Sequence, residues 1–171
     1  MSQAAVITVS DSSYQGTRVD GSGPAVAKLL TASGFLVVEQ VVVPDEQPAI
    51  EAALRSCARL ASLVVTTGGT GVAPRDVTPE ATRNVCERLL DGVPEVMRAA
   101  GRAETIYASL SRALCGTLGP SLIVNLPGSP RGAVTSLTAV LPLVSHALTL
   151  LKGEATHLEV EEQSEESTRR S

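Results

Sequence analysis

Short apolar runs alternate along the chain with segments whose apolar residues recur at helical spacing, and that alternation predicts the architecture. Ala4 to Val9 and Phe35 to Val43 are runs of strand length, and Ser62 to Thr67 and Ser121 to Leu126 repeat the pattern. Between the first two, Pro24 to Ser33 places Val26, Leu29 and Leu30 on one helical face, with Pro24 in the first turn and Gly34 positioned as a left-handed terminator. Pro48 to Leu60 gathers Ile50, Leu54, Cys57 and Ala58 in the same way, and Ala81 to Leu90 gathers Val85, Cys86, Leu89 and Leu90. Asp91 to Pro94 breaks that segment before a short helix around Glu95 to Ala100, and Gly101 to Ser111 carries no clear period. Strands alternating with helices predict an α/β fold of three layers, αβα, around a mainly parallel sheet.

The last periodic segment differs from the others. From Ala133 onward Val134, Leu137, Leu141, Val144, Leu148 and Leu151 form one stripe, while Val140, Leu143, Ala147 and Leu150 make a second side apolar. A helix wet on neither side is central to the fold or covered by another subunit; the subunit contact is the preferred expectation, with Pro142 kinking or dividing the helix. The run Ala133 to Leu151 is uncharged and invites a membrane reading, which Pro142, His146 and several Ser and Thr residues weaken in favour of a buried core helix. The expected organisation is one domain over 1–153 and a polar tail over 154–171 too poor in bulky residues to order itself.

Composition narrows the function classes. A net charge of -4 and a pI near 5.2 lack the basic excess that nucleic acid demands, so no nucleic-acid partner is expected. One Phe, two Tyr and no Trp leave little aromatic surface, and cofactor stacking on aromatics is not expected. Cys57, Cys86 and Cys115 are far apart without neighbouring His, which fits reduced thiols in a cytoplasmic protein rather than a zinc site or a disulfide framework. The N-terminal MSQAAVITVSDS reads as a first strand rather than a signal peptide, and no membrane association is expected.

Candidate chemistry collects where the strands end. Ser10 and Asp11 follow the first strand and can bond backbone groups or a ligand; Asp45 follows Pro44 at the end of the second. The third strand runs into Gly68, Gly69, Thr70 and Gly71, a loop that reads either as a tight turn or as an anion cradle whose bare amides reach phosphate oxygens. Its spacing matches neither the Walker nor the classical dinucleotide fingerprint. Asp76 in the same loop reads alone as a helix N-terminal carboxylate and Asp45 alone as a turn residue. Converging on a bridging Mg²⁺, the two would suit a metal-nucleotide site. Arg75, Arg112 and Arg131 stand nearest these loops and match phosphate geometry, although solvated surface arginines fit the sequence equally. No Ser-His-Asp pattern is present, His146 and His157 being structural or solvated.

Taken together, Val9-Ser10-Asp11, Asp20-Gly21-Ser22-Gly23-Pro24, Val43-Pro44-Asp45-Glu46, Thr67 to Gly71 with Arg75 to Ala81, Leu110-Ser111-Arg112 and Leu126-Pro127-Gly128-Ser129-Pro130 resemble the MogA and MoaB group of molybdenum-cofactor proteins, which includes the G domain of gephyrin. The resemblance implies that family's fold and adenylyl transfer to molybdopterin from Mg-ATP, with release of pyrophosphate. It implies Asp45 and Asp76 as catalytic and Mg²⁺-binding acids, and Gly68, Gly69, Thr70, Gly71, Pro127, Gly128 and Ser129 as the nucleotide site. Ser10, Asp11, Ser111 and Arg112 would face the pterin. It further implies a homotrimer and a molybdenum-insertion (MoeA-like) partner, with a non-catalytic MoaB-like pterin- or nucleotide-binding protein as the alternative. Two positions depart from the pattern: Leu118 stands where Arg is frequent, and Ser129 where Asn is common.

Overall fold

The computed structural model describes residues 1–153; the polar tail at 154–171 lies outside them. Six strands form one sheet: β1 (Gln3–Val9), β2 (Leu36–Val43), β3 (Leu63–Thr67), β4 (Arg88–Leu89), β5 (Cys115–Leu118) and β6 (Ser121–Leu126), in the order β2-β1-β3-β6-β5-β4. The first four in that order are mutually parallel; at one edge β5 runs antiparallel to β6, and β4 antiparallel to β5. Parallel strands need crossovers, and the helical segments supply them: α2 (Ser22–Ala32) after a single turn α1 (Asp11–Tyr14), α3 (Gln47–Ala58), α4 (Thr78–Val85), α5 (Gly92–Arg102) and α6 (Pro130–Leu151).

Two apolar layers result. On one face Ala4, Val6, Leu63, Val65, Leu122 and Val124 pack under α2, α5 and α6; on the other Ala5, Ile7, Val64 and Ile123 pack under α3 and α4. The alternation along each strand explains why these runs are apolar throughout: both faces are covered. The three-layer α/β fold expected from the sequence is the one observed.

Three differences have physical causes. The segment predicted as one helix over Ala81 to Leu90 leaves the helix at Cys86, and Arg88–Leu89 pairs with β5. The amides of Glu87 and Leu90 donate to the carbonyls of Thr117 and Cys115 at 2.8 Å each, so partners distant in sequence outbid the local period. Second, the segment without a clear period holds a 3₁₀ helix, Ile106–Leu110, and α5 extends to Arg102. Third, Pro142 does not divide α6, which runs unbroken from Pro130 to Leu151.

Helix α6 buries Ala133, Leu137, Val140, Val144 and Leu148 against the sheet and leaves Leu143 and Leu150 exposed. Among the described residues it is the one helix long and apolar enough to cross a membrane, yet that face belongs to the core. Every buried side-chain nitrogen and oxygen among the described residues has a hydrogen-bond partner. Asn125 in β6 donates to Thr66 Oγ1 (3.0 Å) and Thr82 Oγ1 (2.9 Å) and accepts from the Leu114 amide (3.1 Å), fastening α4 across β3 and β6.

Candidate active site

The four parallel strands deliver their carboxyl ends to one edge, where open α/β sheets place ligand sites. Ser10 and Asp11 follow β1, Pro44 and Asp45 follow β2, Gly68 to Gly71 follow β3, and Pro127 to Ser129 follow β6. Gly68 and Gly69 cannot carry side chains here. A Cβ on Gly68, at φ +92°, would lie 2.3 Å from the Val9 carbonyl oxygen; one on Gly69, at φ +66°, would lie 2.3 Å from Thr78 Oγ1. Thr78 secures the loop by donating its hydroxyl to the Gly68 carbonyl and its amide to the Gly69 carbonyl. The Gly68 amide is taken by the Leu126 carbonyl, whereas the amides of Gly69, Thr70 and Gly71 meet no protein acceptor among the described residues.

Two clefts open at this edge. The first, about 470 Å³, is lined by Ser10, Asp45, Gly68, Gly69, Asp76, Gly128 and Ser129 together with Arg18 and Asp20. The second, about 610 Å³, is lined by Thr70, Gly71, Ser111, Pro127, Gly128 and Ser129, by residues of α5 and α6, and by Tyr107. Gly128 and Ser129 belong to both, and a Cβ on Gly128 would stand 3.2 Å from the Gly68 Cα: the two loops touch main chain to main chain.

The two acids predicted to converge do share the first cleft, and each is anchored in the same way. Asp45 Oδ2 accepts the Asp11 amide at 2.8 Å, and Asp76 Oδ2 accepts the Ala73 amide at 2.9 Å. The Oδ1 of each has no hydrogen-bond partner among the described residues. Burial raises the Asp45 pKa above the ordinary aspartate range against the Asp11 amide, which lowers it; the Asp11 and Asp76 carboxylates add to the rise. The folded state therefore holds the Asp45 proton more tightly than the unfolded chain does. Its contribution to stability is present below the unfolded pKa and lost as pH rises through the folded value.

Asp11 and Asp45 bond reciprocally, the Asp45 amide donating to Asp11 Oδ1 at 2.9 Å, so the ends of β1 and β2 are tied. Arg75 grips the same Asp11 carboxylate through Nε and Nη2, and this guanidinium holds the Asp11 pKa below its usual value. Arg112 donates Nε to the Gly71 carbonyl (2.7 Å) and Nη2 to the Asp76 carbonyl (2.6 Å), while Nη1 pairs with Glu80 Oε1. Arg131 pairs with Glu104. All three arginines singled out in the sequence are thus engaged by protein groups.

Among the residues expected to face pterin, Ser10 lines the first cleft and Ser111 the second, while Asp11 and Arg112 line neither. The sequence reading missed Arg18, the cation in the lining of the acidic cleft, which stands alone in a loop with no spacing to mark it. It also passed over the local role of Asp20. That carboxylate accepts the amides of Ser22 and Gly23 at 3.0 Å each and the Thr8 hydroxyl at 2.6 Å, and the Asx-type spacing in Asp20-Gly21-Ser22 was the available signal.

A family model described as "Probable molybdopterin binding domain" matches residues 5–146. The chain belongs to this family. Its likeness extends along most of the sequence. A protein named molybdopterin adenylyltransferase from Helicobacter pylori J99 is 40% identical over 152 residues, covering 86% of each chain. The molybdopterin biosynthesis enzyme MoaB from Thermus thermophilus superposes with a TM-score of 0.84 at 46% identity, covering 90% of this chain and 98% of that one. A molybdenum cofactor biosynthesis bifunctional protein from Synechococcus elongatus is 39% identical over 88% of this chain. The chain spans about half the length or less of such longer relatives, 47% in that case. Family and fold agree with the MogA and MoaB resemblance of the sequence.

Among the described residues no three His, Cys, Asp or Glu side chains gather into a metal cage. Two free Oδ1 atoms on one cleft nonetheless fit Mg²⁺, which is held by one or two carboxylates and completes its shell with phosphate oxygens and water.

Proposed function

We propose that this chain is a nucleotidyltransferase of molybdenum cofactor biosynthesis, a molybdopterin adenylyltransferase that takes Mg-ATP and molybdopterin as substrates. The observation that carries this reading is the pair of carboxylates, each anchored through Oδ2 and open at Oδ1, beside three unclaimed loop amides. Family membership and the relatives' names support the pathway and the substrate class.

In this reading a phosphate oxygen of molybdopterin attacks the α-phosphorus of ATP. A new phosphorus–oxygen bond forms, the bond to the β-phosphate bridge breaks, and pyrophosphate leaves with that electron pair. No protein nucleophile is needed, so the chain's contribution is position and charge. Mg²⁺ bound with ATP supplies neutralisation of the phosphate charge. Asp45 and Asp76 would hold it; Gly69 to Gly71 would offer amides to phosphate oxygens; Pro127, Gly128 and Ser129 would line the nucleotide side; Ser10 and Ser111 would offer hydroxyls at the two clefts. The test is direct: purified protein with molybdopterin and Mg-ATP should give adenylylated pterin and pyrophosphate in equal amounts, and chelation of the metal should stop both. Binding of both substrates without product would leave the alternative, a non-catalytic pterin- or nucleotide-binding protein.

The same reading makes the chain a cytoplasmic homotrimer that hands its product to a molybdenum-insertion (MoeA-like) protein. Leu143 and Leu150, exposed on the outer side of α6 beside Pro142 and His146, support the subunit contact. Sedimentation at micromolar concentration should give a single species of three chains, and a stable monomer would end that assignment.

A further inference from the structure

We infer that Arg112 is a positioning residue for Asp76 rather than a ligand for pterin. Arg112 follows Ser111, which lines the second cleft, but its own side chain turns to the loop between Gly71 and Asp76. One guanidinium bridges the two ends of that loop, Nε to the Gly71 carbonyl at 2.7 Å and Nη2 to the Asp76 carbonyl at 2.6 Å. Its backbone amide adds a third tie, to the Thr70 carbonyl at 2.8 Å. Glu80, in the first turn of α4, fixes the fork from behind through Nη1, and Nη2 lies 3.5 Å from Glu80 Oε2. Nε, Nη1 and Nη2 are each engaged, all on the loop or the helix that follows it.

The loop needs such a clasp. Between Gly71 and Asp76 its only internal hydrogen bonds among the described residues are the Ala73 amide to Asp76 Oδ2 and the Asp76 amide to the Ala73 carbonyl, and Val72 to Arg75 are exposed. Arg75 ties the exposed middle of the loop to Asp11 and the Thr78 amide ties the chain beyond it to Gly69, while Arg112 links the Gly71 and Asp76 carbonyls that flank the Asp76 carboxylate. A planar fork reaches both loop ends at once; a lysine ammonium, a point charge on a flexible stem, does not. Ser111 and Arg112 thus divide their work, one on the second cleft and the other on the acidic one.

The kinetic part of the test rests on the adenylyl-transfer reading, and the loop part does not. Hydrogen exchange on the unliganded protein should quicken at the Ala73 and Asp76 amides in Arg112→Ala, with the sheet unchanged. Unaltered exchange there overturns the inference whatever the chain catalyses. In the adenylylation assay, kcat should fall about 10–100-fold, the scale of losing the partner of a metal-binding side chain, with KM for molybdopterin within about threefold. A raised molybdopterin KM with kcat retained makes Arg112 a pterin ligand and overturns the proposal. In an Asp76→Asn background the Arg112 substitution should cost nothing more, whereas losses that multiply show that it acts elsewhere. Arg112→Lys should recover little, and full recovery means that charge rather than the fork is what matters. Should Arg112→Ala fail to fold, Glu80→Gln loosens the same fork and is read by the same exchange measurement.

Discussion

Asp76→Asn is expected to abolish most adenylyl transfer, lowering kcat by on the order of 100-fold or more while leaving the fold intact. The carboxylate is half-buried on a surface loop, and Asn keeps an oxygen that can accept the Ala73 amide, so stability is not what changes. What is lost is one of two negative charges available to a metal bound with ATP. A second effect separates charge from shape. Asp76 raises the Asp45 pKa, so its neutralisation should move the acid limb of Mg²⁺-dependent ATP binding to lower pH, since Asp45 then stays ionised further down. Near-normal turnover in Asp76→Asn would remove that residue from the chemistry. An acid limb moving the other way would break the electrostatic link between the two acids.

Gly68→Ala should be the most damaging single-methyl change at the site. The added Cβ would sit 2.3 Å from the Val9 carbonyl oxygen at a φ of +92°, and the obstacle is backbone rather than the end of a pliable side chain. Strain at that dihedral and overpacking together cost about 2–5 kcal/mol. The entropy removed from the unfolded chain returns only about 0.4–1 kcal/mol, so destabilisation wins. Gly34→Ala is the control: its φ of +86° is equally unfavourable, but nothing lies within 4 Å of the new atom. Urea unfolding of the two variants should place Gly68→Ala well below Gly34→Ala, and equal losses would show that contact with Val9 contributes nothing.

The sequence made legible what strand ends dictate. Asp45, the glycine loop and Pro127 to Ser129 follow directly after strands that apolar runs announce, so placing the strands placed them. Side-chain partners were another matter. Arg75, Arg112 and Arg131 fitted phosphate and solvent equally well in the sequence, and their acceptors are instead Asp11, two loop carbonyls with Glu80, and Glu104. A carbonyl acceptor leaves no trace in residue identity. Strands β4 and β5 were hidden for a similar reason. Cys86, Leu89 and Leu90 carry a helical period, and the antiparallel pairing that overrides it needs Gly116, where a Cβ would lie 2.6 Å from the Arg88 carbonyl oxygen. The second cleft was legible only on the side of Thr70, Gly71, Ser111 and Pro127 to Ser129; its wall from Gly101 to Leu110 was not, because the 3₁₀ turn there has no apolar stripe to reveal it.

The contact between Gly68 and Gly128 bears on how the two clefts can be redesigned. The wall they share there is main chain alone, and main chain has no rotamers to sample. Shifting it means sliding β3 or β6 bodily through a close-packed sheet, which disturbs both core layers. Altered substrate scope is therefore to be sought at the outer rims, around Arg18 for one cleft and Tyr107 for the other, where side chains are exposed and replaceable.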